Sequence, residues 1–135
     1  MTTSLVRRGD DWEVRFDSAR VERFVVDYDL QLEAGLDDGR LLVRIGDETT
    51  FEFHDKERLW KISPRDLSVN ARVFILMGRQ LNSVIIRADG SLEMSFAESQ
   101  LLRVPPIAKY EAWELHGPHG IIVVSGPDGE VTTWS

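Results

Sequence analysis

The sequence predicts an α+β fold that is mostly antiparallel β. Two similar β-meander units, about residues 10–62 and 80–134, are joined by one helix at about 64–78. Three observations carry this expectation. Apolar and polar residues alternate with a period of two through most of the chain, the pattern of a strand with one buried and one wet face. Turn signals built on Gly and Pro recur between the alternating runs. One helix-start signature, Ser63-Pro64-Arg65-Asp66, interrupts the alternation. A chain of 135 residues fits a single domain, 1–135.

Trp12, Val14 and Phe16 alternate with Glu13 and Arg15 and open the series as a strand. Phe24, Val26, Tyr28, Leu30, Leu32 and Ala34 then alternate with Asp27, Asp29, Gln31 and Glu33, which predicts one long strand over 24–34. Asp37-Asp38-Gly39 turns the chain, with Gly free to take a positive φ. Leu41, Val43 and Ile45 return antiparallel, and Phe51 and Phe53 alternate with Glu52 and His54 in a further strand.

In the joining segment Ser63 is placed to cap free amides, Pro64 suits a first helical position, and Asp66 completes a capping-box pattern. Leu67, Ala71, Phe74 and Met77 follow helical spacing. Arg65, Arg72 and Arg79, seven apart, fall near one opposite face, and Gly78 is a C-terminal stop. Strands resume with Val84 and Ile86, the turn Ala88-Asp89-Gly90, and Leu92, Met94 and Phe96. Leu101 to Val104 are stopped by Pro105-Pro106. Trp113 and Leu115 start the last series, which turns at Gly117-Pro118-His119-Gly120 and at Gly126-Pro127-Asp128-Gly129 and ends over 131–134.

The two halves align. At a shift of 60, Val21 meets Leu81, Phe24 meets Val84, Asp29 meets Asp89 and Leu32-Glu33 meets Leu92-Glu93. At a shorter shift Trp60 meets Trp113. An internal duplication, 20–62 and 80–116, is the simplest account.

Composition narrows the function. With 16 Lys+Arg against 23 Asp+Glu the net charge is −7, which argues against binding a phosphate backbone and fits a basic protein partner. Zero Cys excludes a disulfide scaffold, a thiolate zinc site and a cysteine nucleophile. The start of the chain has no leader-like apolar run. The longest aliphatic and aromatic run, 73–77, is far short of the ~20 residues of a membrane helix. The expectation is a cytoplasmic protein without a membrane span.

No constellation for catalysis, cofactor or metal stands out. His116 and His119 flank a turn, no H-E-x-x-H occurs, and the glycines are isolated turn residues. Asp27 and Asp29 share a wet strand face, and Asp37-Asp38 sits at a turn, so none has the apolar burial that raises a carboxyl pKa for acid–base work. Trp60 and Trp113 are assigned to the core. Trp134, beside the C-terminus, is either a clamp closing the sheet or a contact surface. The partner-binding candidates are Asp27, Asp29, Glu33, Asp37, Asp38, Tyr110, Glu111 and Trp134.

Val26-Asp27-Tyr28, Leu76-Met77-Gly78-Arg79, Asp89-Gly90-Ser91-Leu92 and Tyr110-Glu111-Ala112-Trp113, with the ending Gly117-Pro118-x-Gly120 to Trp134, resemble a family of small, mostly actinobacterial proteins of unknown function. The likeness runs from about residue 20 to 134 and is most specific at the C-terminal end. Size, charge and layout are analogous to immunity proteins that neutralise bacterial toxins. The sequence therefore reads as a non-enzymatic binding module with a protein partner and no nucleic acid. A small enzyme or ligand-binding protein with a site between the units, near His54, and a self-assembling module are the alternatives.

Overall fold

Alternating side chains leave this chain few choices beyond strands, and strands are what form. The computed structural model describes residues 1–66 and 71–135. They hold β1 (Ser4–Arg8), β2 (Asp11–Arg15), β3 (Ala19–Val26), β4 (Leu30–Leu36), β5 (Gly39–Ile45), β6 (Phe51–Asp55) and β7 (Arg58–Ile62). After the joining segment come β8 (Gln80–Ile86), β9 (Leu92–Phe96), β10 (Gln100–Val104), β11 (Trp113–His116), β12 (Ile122–Ser125) and β13 (Val131–Trp134). One antiparallel sheet runs in the order β13-β12-β11-β5-β4-β3-β8-β9-β10-β6-β7, with β2 pairing β8 and β1 pairing β2.

The α+β expectation fails at the joining segment. Among the described residues there is no α-helix, and the fold is mostly antiparallel β. Pro64–Asp66 and Arg72–Leu76 are short 3-10 turns; Leu67 lies outside the described residues. The helix-start signal is satisfied for one turn only. The Ser63 hydroxyl accepts from the Arg65 N–H at 3.3 Å and the Asp66 N–H donates to the Ser63 carbonyl at 3.0 Å. Farther on, β-branched Val73 and Ile75 disfavour a helix. The three-residue repeat of a 3-10 turn puts Val73 and Leu76 together into the core. Phe74 packs edge-on against Phe24, ring centres 5.1 Å apart. Gly78, at φ +80°, then swings the chain onto β3: its N–H donates to the Val21 carbonyl and the Val21 N–H donates to the Arg79 carbonyl, both at 2.9 Å. Pairing with the sheet outweighs local helix preference.

The expected arginine stripe dissolves with the helix. Arg65 meets Asp47 at 3.0 Å and Glu48 at 2.7 Å, Arg79 meets Glu98 at 2.9 Å, and the Arg72 guanidinium lies 4.7 Å over the Trp60 ring.

The long strand predicted over 24–34 is a hairpin. Val26 pairs with Leu30, and residues 27–29 turn between them, with the Asp27 N–H donating to the Asp29 carbonyl at 3.0 Å. Asp27 and Asp29 are turn residues, not neighbours on a strand face.

Two three-stranded meanders, β3-β4-β5 and β8-β9-β10, lie side by side. Their first strands pair antiparallel, with Arg20 opposite Gln80 and Ala19 opposite Leu81. Each first strand carries one irregularity, between Val21 and Arg23 and between Leu81 and Ser83. Each meander takes its outer neighbour from the other half of the chain: β6 pairs with β10, and β11 pairs with β5. Phe53 therefore faces Leu102 as Leu115 faces Val43. The strand placed like that of Trp113 is β6, so the alignment of Trp60 with Trp113 does not correspond to position in the sheet.

The inner residues of nearly every strand meet in one core, which includes Val21, Leu32, Val43, Phe51, Phe53, Val84, Met94, Leu102, Trp113 and Val123. Burying each large side chain contributes about 2–3 kcal/mol. The sheet folds over so that the β8–β9 turn reaches β11 and the β12–β13 turn. There the Gly90 carbonyl accepts from both the Trp113 indole and the Ser125 hydroxyl, each at 2.9 Å. Trp113 is thus a core residue, and Trp60, half-buried, packs against the core on Phe53, ring centres 6.1 Å apart.

Candidate functional site

Register sorts the candidate residues into two ends of the sheet and one face. Leu30, Ile45 and Trp113 lie opposite one another across β4, β5 and β11. The segments just outside that row are therefore neighbours: the turn 27–29, Gly46 after β5, and Tyr110-Glu111-Ala112 before β11. Hydrogen bonds tie the last two together. The Gly46 N–H and the Thr49 hydroxyl both donate to the Ala112 carbonyl, at 3.0 and 3.1 Å. Tyr28 is 81% exposed and Tyr110 58% exposed, both unusual for large aromatics.

Carboxylates surround them. Asp29 is held at 3.3 Å by the Arg44 guanidinium, which also reaches Glu114 at 3.0 Å. Asp47 and Glu48 share Arg65. Asp27 and Glu111 have no ion pair among the described residues. This end is acidic, aromatic and wet.

Asp37 and Asp38 occupy the β4–β5 turn at the opposite end. Asp38 is a clasp: it accepts from the Thr3 N–H at 2.7 Å and the Thr3 hydroxyl at 2.6 Å, and lies 2.9 Å from the His119 ring. These bonds favour the charged form and hold the Asp38 carboxyl well below the usual carboxylate range, Thr3 contributing most. His119 adopts a left-handed backbone, φ +62°, in the β11–β12 turn. The two C-terminal histidines diverge to different acids, His116 facing Glu114 at 3.7 Å. Asp38 thus joins the N-terminal strand to two turns.

Glu33 stands mid-strand on the outer face, 3.3 Å from Arg23. Its row continues through Leu42, His116 and Ile122 to Trp134 on the sheet's edge. Trp134 is 52% exposed, so it leaves a contact surface open rather than clamping the sheet. His54 lies half-exposed on β6, 3.2 Å from Glu52. The junction between the meanders is filled by Ala19, Val21, Leu81 and Val84. Among the described residues no three His, Asp or Glu side chains are grouped to hold a metal ion. No helix among them is long and apolar enough to cross a membrane.

Residues 12–135 match a family of unknown function, DUF6188. The chain belongs to that family. No curated protein and no solved structure matches it. Membership in DUF6188 covers β2 through the last strand and so takes in both meanders and both sheet ends.

One feature escaped the sequence reading. An open groove of about 510 Å³ lies at the β6–β7 hairpin, bordered by Lys56, Arg58, Trp60 and Arg72 together with Asp55 and Glu57. The signal was present as Asp55-Lys56-Glu57-Arg58-Leu59-Trp60, alternating charges of both signs beside a tryptophan.

Proposed function

We propose that this chain is a protein-binding module that engages a basic partner through the sheet end bearing Tyr28 and Tyr110. The observation that carries the reading is two exposed tyrosines beside the unpaired carboxylates of Asp27 and Glu111, on segments that register places at the same end of the sheet. Tyrosines supply rigid contact area at low entropic cost, and the surrounding negative charge steers a cationic patch into register. Asp29, already fixed by Arg44, keeps the turn in place. Asp37, Asp38 and Glu33 serve the fold and outer face more than this end.

The finer reading is a bacterial immunity protein that covers the basic active site of a toxin. Its support is the acidic tyrosine end and the small size of the chain, and it makes the chain a cytoplasmic protein that acts by occlusion. The test is to co-express the chain with the product of the neighbouring gene and pass the mixture over a sizing column. A salt-sensitive complex lost in Tyr28→Ala/Tyr110→Ala supports the reading. A complex indifferent to both substitutions, or none, removes it.

Trp134 on the free edge of β13 favours a second reading, in which two copies pair edge to edge. Light scattering decides this: a monomer at high concentration dismisses it.

We also read the two meanders as copies of one unit, 20–62 and 80–116. Support comes from Arg20 facing Gln80, its counterpart at a shift of 60, and from the matching irregularities after Val21 and Leu81.

A further inference from the structure

Register explains how the groove at the β6–β7 hairpin is lined. Phe53 faces Trp60 and Asp55 faces Arg58 across the two strands. Residues two apart on a strand share a face, so these four side chains form two successive rows on the face that carries the core. The first row is aromatic, and with exposed Ile75 it forms the apolar inner end of the groove. The second row is charged and lines the open part, of about 510 Å³, within the ~300–1,000 Å³ of small-molecule sites.

Opposite charges placed directly across from each other on a sheet ordinarily pair. Asp55 and Arg58 do not, and neither has an ion pair among the described residues. Asp55 is held from the side away from Arg58. Buried Gln100 faces it across β10 and β6 and donates from its side-chain amide to the Asp55 carboxylate at 3.3 Å. The groove thus presents an anchored carboxylate and an exposed guanidinium side by side, next to an apolar recess. Glu57 and Lys56 add one charge of each sign, so this end of the groove is balanced.

We propose that this groove binds a free amino acid with a large apolar side chain. Its ammonium group meets Asp55, its carboxylate meets Arg58, and its side chain lies in the recess beside Trp60 and Ile75. Opposite positions on paired strands are about 5 Å apart at Cβ, a spacing at which one α-carbon can offer its ammonium to one side chain and its carboxylate to the other. The guanidinium can take that carboxylate through two parallel bonds. A purely anionic ligand would face Asp55 and Glu57, and a purely cationic one Arg58 and Arg72. A molecule carrying both signs matches the charged row, and an apolar side chain matches the row behind it. The site shares no residue with the tyrosine end and does not depend on it.

The test titrates the whole chain, labelled with ¹⁵N, with L-phenylalanine and L-leucine. At least one is expected to shift the amides of residues 53–60 saturably. Glycine, N-acetyl-L-phenylalanine, which lacks the ammonium group, and L-phenylalaninamide, which lacks the carboxylate, should each bind roughly tenfold more weakly than L-phenylalanine or not at all. Arg58→Gln should weaken L-phenylalanine roughly tenfold and leave the amide's weaker binding unchanged, a split that general damage to the hairpin would not produce. Arg58 is exposed, so unchanged remaining amide peaks verify that the variant stays folded. Four results overturn the proposal: no saturable shift with either amino acid, equal binding of a blocked form, equal binding of glycine, or shifts centred outside residues 53–60 and 72–75.

Discussion

The indole N–H of Trp113 donates a 2.9 Å hydrogen bond to the backbone carbonyl of Gly90. That bond joins the turn of one meander to the strand that extends the other, and Ser125 donates to the same oxygen. Trp113→Phe removes one of the two donors, at a cost of about 1–2 kcal/mol, with more from the volume a smaller ring leaves unfilled. Adding Ser125→Ala leaves the carbonyl buried without a donor, so the double variant loses more than the sum of the single ones. Urea titration of the four proteins measures this.

Two glycines with the same backbone separate strain from collision. Gly120 and Gly129 sit at φ +82° and +84°. A Cβ at Gly120 meets nothing within 4 Å, whereas one at Gly129 runs into the Asp89 carbonyl. Gly120→Ala should cost only the left-handed penalty, about 1 kcal/mol. Gly129→Ala must also push the β8–β9 turn off the β12–β13 turn and should cost clearly more. Equal losses in thermal melts would contradict the packing of these turns.

The Asp38 clasp predicts a pH dependence of defined sign. Thr3 and His119 hold the folded carboxyl below its unfolded value of about 3.9. Its stabilisation is therefore fully present above about pH 4 and is lost as pH falls through the folded pKa. Asp38→Asn should lower the denaturation midpoint at neutral pH, and the gap to the parent should narrow below about pH 4. A gap independent of pH would show that the carboxylate charge does not matter.

Sheet order predicts a gradient of local stability. β1, β7 and β13 each pair on one side, while β3, β4, β8 and β9 are flanked on both. Amide exchange should be fastest in the first group and slowest in the second. The far-UV circular dichroism of the chain should also lack the paired α-helical minima.

Much of this fold was legible because its turns are marked. Gly117 to Gly120 and Gly126 to Gly129 carry Pro followed by a polar residue and Gly, and both become tight turns between strands. The β3–β4 hairpin was hidden for the converse reason: Asp27-Tyr28-Asp29 contains neither Gly nor Pro, and its alternation runs unbroken through the turn. The joining segment misled because a genuine one-turn start at Ser63 is followed by residues that gain more from the sheet than from a helix. The tyrosine end was half visible. Tyr110, Glu111, Asp27 and Asp29 were each singled out, but only the pairing of β11 with β5 brings them together, and no local pattern encodes a contact between residues this far apart in sequence.

The central claim is that Tyr28 and Tyr110 form one binding surface. Titration calorimetry of the chain with the neighbouring gene's product tests it most directly. The account predicts a complex that weakens with salt and loses about 2 kcal/mol or more on Tyr28→Ala/Tyr110→Ala, with the denaturation midpoint unchanged. Affinity untouched by the double substitution would contradict it.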